Sequence, residues 1–159
     1  MANKYQEVVK KVGCGNNMVP HCLKYYLKPS ELVLMLEFCE DVNLDCNEDK
    51  VVKRAKDINW SQRSFVRVVT QLKNIGLIDV KTVLRGSEIR INYDALIKLG
   101  EIMREYKRLR YKLRDYTNDR NILELSHREV VDYDRIEKKK LKELAKSAKN
   151  GTLEIDDSE

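Results

Sequence analysis

Long apolar runs are missing from this chain: no stretch of about 18 consecutive apolar residues occurs, so no membrane-spanning helix and no membrane partner are expected. The opening MANKYQEVVKKV lacks the apolar block and small-residue cleavage site of a secretion signal, and a cytoplasmic protein is expected. Histidine is scarce, with two in 159 residues, and no glycine-rich phosphate loop, nucleophile elbow or paired-carboxylate motif is present. These absences argue against an enzyme, and no catalytic residue and no cofactor are assigned. Carboxylates are plentiful, but they lie on charged helical faces where solvation accounts for them. None of the four cysteines, Cys14, Cys22, Cys39 and Cys46, forms a CxxC pair. Reduced thiols in or near the core are expected in a cytosolic chain. His21 beside Cys22, with Cys14 upstream, resembles a metal cluster only loosely, and its spacing fits no zinc module. Asp41, Asn43 and Asp45 open like a calcium loop, yet Cys46 stands where the glycine belongs and Val52 where the bidentate glutamate belongs. No metal is assigned.

What the chain does have is charge and helix-forming pattern. With 42% apolar and 36% charged residues it reads as soluble, globular and biased to helix. Its length suits one domain, or one with an appendage. The net charge of +5 is unevenly spread. Residues 98–149 hold 16 basic against 10 acidic residues, whereas the last ten hold four acids and no base. Between residues 60 and 90, Arg63, Arg67, Lys73, Lys81, Arg85 and Arg90 face only Asp79 and Glu88. That local excess suits a polyanionic partner.

Residues 1–27 are ambiguous between short helix and strand, with the stretch before Pro20 extended. KPSELVLMLEFCED starts a helix: Pro29 suits the first turn and Glu31 the positive end of the helix. Leu32, Met35, Leu36 and Cys39 form its apolar face, broadened by Val33 and Leu34. A short second helix is expected near residues 48–56, with Val51, Val52 and Ala55 inward. Asn59 and Gln62 make a capping-box pattern for a third helix, from about residue 60 to 74. In it Phe65, Val68, Val69, Leu72 and Ile75 recur at helical spacing, and Gly76 takes the left-handed stop. LIDVKTVL and EIRIN, separated by Arg85, Gly86 and Ser87, predict a hairpin.

Three helices closed by a glycine and a hairpin follow the order of a winged helix-turn-helix. One face of such a third helix is buried and the other is free to meet base edges and phosphates. The free positions read Ser61, Gln62, Arg63, Ser64 and Arg67; Lys81, Arg85 and Arg90 lie on the hairpin. SQRSFVRVVTQLKNIGLI resembles the recognition helix and wing entry of bacterial, plasmid and phage winged-helix proteins. LKPSELVLMLEF, preceded by MVPHCL, is similar to the first helix of the replication-initiator and replisome-organiser branch. The resemblance spans roughly residues 18–93. It implies base or backbone contact with double-stranded DNA at Ser61, Gln62, Arg63, Ser64 and Arg67, and wing contact at Arg85. One departure is that Trp60 and Val66 also fall near the DNA side; their exposure would favour a protein-binding surface.

From residue 94 the pattern changes. Leu99, Ile102, Tyr106, Leu109, Leu113 and Tyr116 alternate three- and four-residue steps. The rhythm continues through Arg120, Leu123, His127, Val130, Asp134, Glu137, Leu141, Leu144 and Ala148. This predicts a coiled coil whose best dimer seam is the first six residues. DYTNDRN, rich in poor helix formers, admits a turn instead, making a two-helix hairpin. An amphipathic helix covering the first domain is a further alternative. The expected organisation is therefore a winged domain over residues 1–93, a helical dimerisation extension over 94–149 and an acidic disordered tail over 150–159. The fold class is mainly α with a small β-hairpin. The leading functional expectation is a homodimeric, sequence-specific transcriptional regulator. The alternatives are a plasmid- or phage-type replication initiator or replisome organiser, and a winged-helix interaction module without DNA. The C-terminal helices and the acidic tail are candidate contacts for a protein partner.

Overall fold

The computed structural model describes residues 3–15, 18–44, 50–84 and 86–149. It is mainly helical, with one small antiparallel sheet. The ambiguous N-terminus forms α1, Lys4–Val12, because Asn3 caps it: its side chain accepts from the Gln6 amide at 2.8 Å and Gln6 reaches back to the Asn3 amide at 3.3 Å. After an isolated bridge between Cys14 and Pro20 comes the short α2, Cys22–Tyr26. The central helix α3, Pro29–Leu44, begins where Pro29 places it. Its innermost side chains are Leu34, Met35, Phe38, Cys39 and Val42, while Leu32 and Leu36, expected inward, are only half-buried.

Two elements differ from the sequence expectation. Residues 50–53 of the span read as a second helix form a strand, β1, Lys50–Lys53, followed by a 3-10 turn at Ala55–Ile58; residues 48 and 49 lie outside the described residues. The reason is tertiary: β-branched Val51 pairs across from Ile89, and the sheet outweighs local helix preference. Asn59 does not cap the third helix. It is left-handed (φ 59°) and closes the 3-10 turn, and Ser61 is the cap, its hydroxyl accepting from the Ser64 amide at 3.1 Å. The helix, α4, therefore runs Gln62–Asn74, and Gly76 follows with φ 91°.

The hairpin forms as expected, from β2, Ile78–Val83, and β3, Gly86–Ile91. With β1 the strand order is β1-β3-β2, all antiparallel. Ile78, Ile89 and Ile91 turn inward, joining Phe65, Val68, Val69 and Leu72 of α4 and the buried face of α3 in one core.

The C-terminal part differs most from expectation. A helix α5, Tyr93–Glu105, leads into a 3-10 turn at Lys107–Leu109, then α6, Leu113–Thr117, a second 3-10 turn at Ile122–Glu124, and α7, His127–Lys149. The break falls within DYTNDRN, where Asn118 and Asp119 are both left-handed (φ 48° and 64°). Leu99, Ile102, Leu109 and Leu113 are buried in the chain's own core, and Tyr106 and Tyr116 are packed against it. The expected dimer seam is thus not an open face: the three- and four-residue rhythm is satisfied by short helices folding back on α1, α2 and α3. The expected boundary at residue 93 runs through that same core.

Two fastenings hold this region down. Glu31, fully buried, receives both guanidinium edges of Arg114 at 2.8 Å; Arg114 also donates to the Tyr26 carbonyl at 3.0 Å and to Asp119. At the far end of α4, the Ile122 amide donates to the Ile75 carbonyl at 2.9 Å. Asn121 there lies so close that a Cβ on Gly76 would fall 2.2 Å from its Oδ1.

The start of α7 is set by a second capping box. The Ser126 hydroxyl accepts from the Glu129 amide at 3.1 Å and the Ser126 amide donates to the Glu129 carboxylate at 3.3 Å. Arg120 pairs with Glu129, and Tyr133, stacked 5.0 Å from Tyr116, donates to it as well. Arg120 first, then the Ser126 amide, hold the Glu129 carboxyl down to about 2. Its native pKa lies below the ordinary value of 4.5, so its contribution is complete above that value and disappears as the pH falls towards 2. The protection factors of the first-turn amides of α7, taken against the intrinsic exchange rate at each pH, are expected to fall across this window in the wild type. Glu129→Gln should be less protected throughout and show no such inflection.

Candidate nucleic-acid interface

Helix α4 separates its residues cleanly. Phe65, Val68, Val69 and Leu72 are buried, and Gln62, Arg63, Val66, Arg67, Thr70, Lys73 and Asn74 are exposed. Three- and four-residue spacing gathers Arg63, Val66, Arg67 and Thr70 on one outward face. Neither Arg63 nor Arg67 has a carboxylate partner among the described residues, and Lys73, a turn further on, has none either. Two exposed guanidiniums four residues apart can each offer a bidentate edge to a phosphate or to a guanine. Gln62 is free to meet a base edge. Ser61 spends its acceptor on the helix cap but keeps a hydroxyl proton to donate, and Ser64 is half-buried.

Ser30, Asn59, Trp60, Ser61, Ser64, Arg67 and Val68 border a cleft of about 340 Å³ beside this face. It connects the start of α3 with the start of α4, so the sequence-predicted serines and Arg67 meet in one place. Trp60 is packed against the core, whereas Val66 is 49% exposed. The apolar surface between the arginines is therefore Val66 alone. Lys56, exposed on the 3-10 turn that precedes α4, is a further cation near the helix start with no carboxylate partner among the described residues; in a stretch read as a short helix only the inward positions stood out.

The hairpin residues behave differently. Lys81 stands directly across from Glu88, and Arg90 across from Asp79, on the sheet face opposite to the buried isoleucines. Glu88 is also paired with Lys50 at 3.4 Å. Lys81 and Arg90 thus face carboxylates on their own sheet, which offsets their pull on a polyanion. Neither lines the cleft beside α4. Arg85, expected at the wing tip, lies outside the described residues. Near the end of the hairpin, exposed Val52 and Leu84 border a shallow hollow with Thr82, Val83 and Glu88, and the exposed Arg54 side chain lies against Gly86.

Among the described residues no three or more His, Cys, Asp or Glu side chains gather as a metal site, and Cys14, Cys22 and Cys39 are free thiols. The second and third residues of the calcium-like triad divide: Asn43 ends α3 near the cap of α1, and Asp45 lies outside the described residues with Cys46 and the acidic tail over 150–159. No helix among the described residues is long and apolar enough to cross a membrane. Comparison with protein-family models, with characterised proteins and with solved structures gives no match.

Proposed function

We propose that the chain is a winged helix-turn-helix DNA-binding protein in which α3, the 3-10 turn and α4 form the helix-turn-helix and β2–β3 the wing. Its role is regulation of transcription. The observation that carries this reading is the pair Arg63 and Arg67, exposed and without carboxylate partners on a helix whose opposite face is locked in the core. An α-helix presented in this way fits the major groove, with its first turns nearest the bases. The strand order β1-β3-β2 braces that helix from behind. DNA contact is assigned to Gln62, Arg63 and Arg67, with Ser61, Ser64, Lys56 and Lys73 serving the backbone. A homodimer formed through Leu99 to Tyr116 is not part of the proposal, because those residues are spent inside one chain. The second reading, a replication initiator or organiser, draws on α7: Leu141 and Leu144 are half-exposed on its last turns, where they can engage a protein partner.

The test is fluorescence anisotropy of a labelled duplex across a salt series. Wild type is expected to lose affinity steeply with salt, at about 0.9 in log–log slope per phosphate contact. Arg63→Glu/Arg67→Glu is expected to lower affinity about 30-fold or more, from ~1 kcal/mol or more per contact. Both residues are fully on the surface, so the variant keeps its fold. Weak, salt-insensitive binding that the double variant leaves unchanged would point instead to a protein-binding helix.

A further inference from the structure

A second cationic feature lies elsewhere, sharing no residue with the cleft beside α4. The end of α1, the start of α2 and the last turns of α5 enclose a cleft of about 320 Å³. His21, Lys24, Arg104 and Arg110 line it, and no carboxylate does among the described residues. We propose that this cleft binds a small organic phosphate.

The two arginines are held in place without being neutralised. Arg104 donates through Nη2 alone to the carbonyls of Lys11 and Val12, at 2.9 and 2.8 Å, closing the end of α1. Arg110 donates through Nε to the Met103 carbonyl at 3.0 Å and lies over the Tyr25 ring at 4.9 Å. Both therefore keep guanidinium N–H groups beyond the ones that anchor them, and neither forms an ion pair among the described residues. Lys24 places its ammonium 5.1 Å from the centre of the same Tyr25 ring. Tyr25 is itself braced by the edge of Tyr111 at 5.1 Å.

Lys24 and Arg110 bring two like charges to one ring, and no counter-charge among the described lining residues offsets them. A dianion in the cleft supplies that counter-charge and gains charge-assisted hydrogen bonds from anchored donors. The apolar part of the lining comes from Val12 and Met103, and Gly100 lets α5 approach α1 closely here: a Cβ there would fall 2.5 Å from Val12 Cγ1. This apolar lining beside the cations suits a ligand that carries an organic part as well as a phosphate. Cys22 also lines the cleft, but burial pushes its thiol up to about 12, so it stays protonated and offers no nucleophile. The cleft is a place to hold an anion rather than to transform one.

Calorimetric titration of the full chain with pyrophosphate and with adenosine 5′-monophosphate, and with adenosine as the uncharged control, tests this. Both phosphates should bind and adenosine should be at least about tenfold weaker. Arg110→Gln and the surface variant Lys24→Gln should each weaken both phosphates about tenfold, one charge-assisted contact being lost. The α4 variant Arg63→Glu/Arg67→Glu should leave these affinities unchanged, which separates this site from the proposed DNA face. The proposal is overturned if adenosine 5′-monophosphate does not bind or binds no better than adenosine, if the α4 variant loses as much as the cleft variants, or if the cleft variants weaken only duplex binding. The last result would assign the cleft to backbone phosphates of DNA.

Discussion

Arg114→Met is expected to destabilise the fold by about 3–5 kcal/mol, because it strands the fully buried Glu31 carboxylate without its partner. Glu31 does two jobs at once. One oxygen accepts from the Lys28 amide at 3.1 Å, capping α3, and both oxygens accept from Arg114. Arg114 in turn ties α6 to α2 through the Tyr26 carbonyl and lies 5.1 Å over the Tyr26 ring, whose hydroxyl is 3.0 Å from Thr117. Removing the arginine leaves a charge and three elements unfastened. With a urea dependence of about 2 kcal/mol per molar, the unfolding midpoint should fall by roughly 2 M. The double variant Glu31→Leu/Arg114→Met removes both charges and should recover a large part of the loss, since buried ion pairs are often matched by apolar replacements. A double variant no better than Arg114→Met would show that the hydrogen bonds to Lys28 and Tyr26, and not the stranded charge, carry the effect.

A fragment ending at residue 93 is expected not to fold. It would lose Leu96, Leu99, Ile102, Met103, Leu109, Leu113, Ile122, Leu125 and Val130, all buried in the same core as α1, α3 and α4. At about 1.5–3 kcal/mol per buried side chain, their absence exceeds the ~5–15 kcal/mol that holds a typical domain together. Such a fragment should lack a cooperative thermal transition and bind a hydrophobic dye. A chain ending at residue 137, which keeps every buried residue of α7, should melt within about 2–4 °C of the whole. A cooperative 1–93 fragment would sink the single-core description and restore a two-domain chain.

Elements whose signals are local were readable. α3 follows Pro29 and a dense apolar stretch, α4 carries its own helical spacing and glycine stop, and β2 and β3 are long and β-branched. β1 was not readable: Lys50–Lys53 has four residues, and only pairing with β3 makes Val51 and Val52 a strand. In α5, Leu99 and Ile102 have coiled-coil spacing, but spacing does not say whether the partner is another chain or the same one. At the site, the outward positions of Arg63 and Arg67 follow from helix geometry once Phe65 and Val68 are placed inward. That Lys81 faces Glu88 and Arg90 faces Asp79 required the strand register. The cleft at Tyr25 was hidden because it joins residues 12–25 to residues 100–110 through packing alone.

Because α4 is capped by Ser61 at one end and followed at the other by Ile75, whose carbonyl accepts from the Ile122 amide, and by Gly76 against the Asn121 side chain, it arrives at any partner already shaped. Its backbone has almost no disorder left to surrender, so the entropic loss on association falls on Arg63 and Arg67, at about 0.5–1.5 kcal/mol for each immobilised side chain. In the proposed function, recognition by this helix would be a rigid-body docking, with selectivity residing in how two guanidiniums settle rather than in how a helix adjusts.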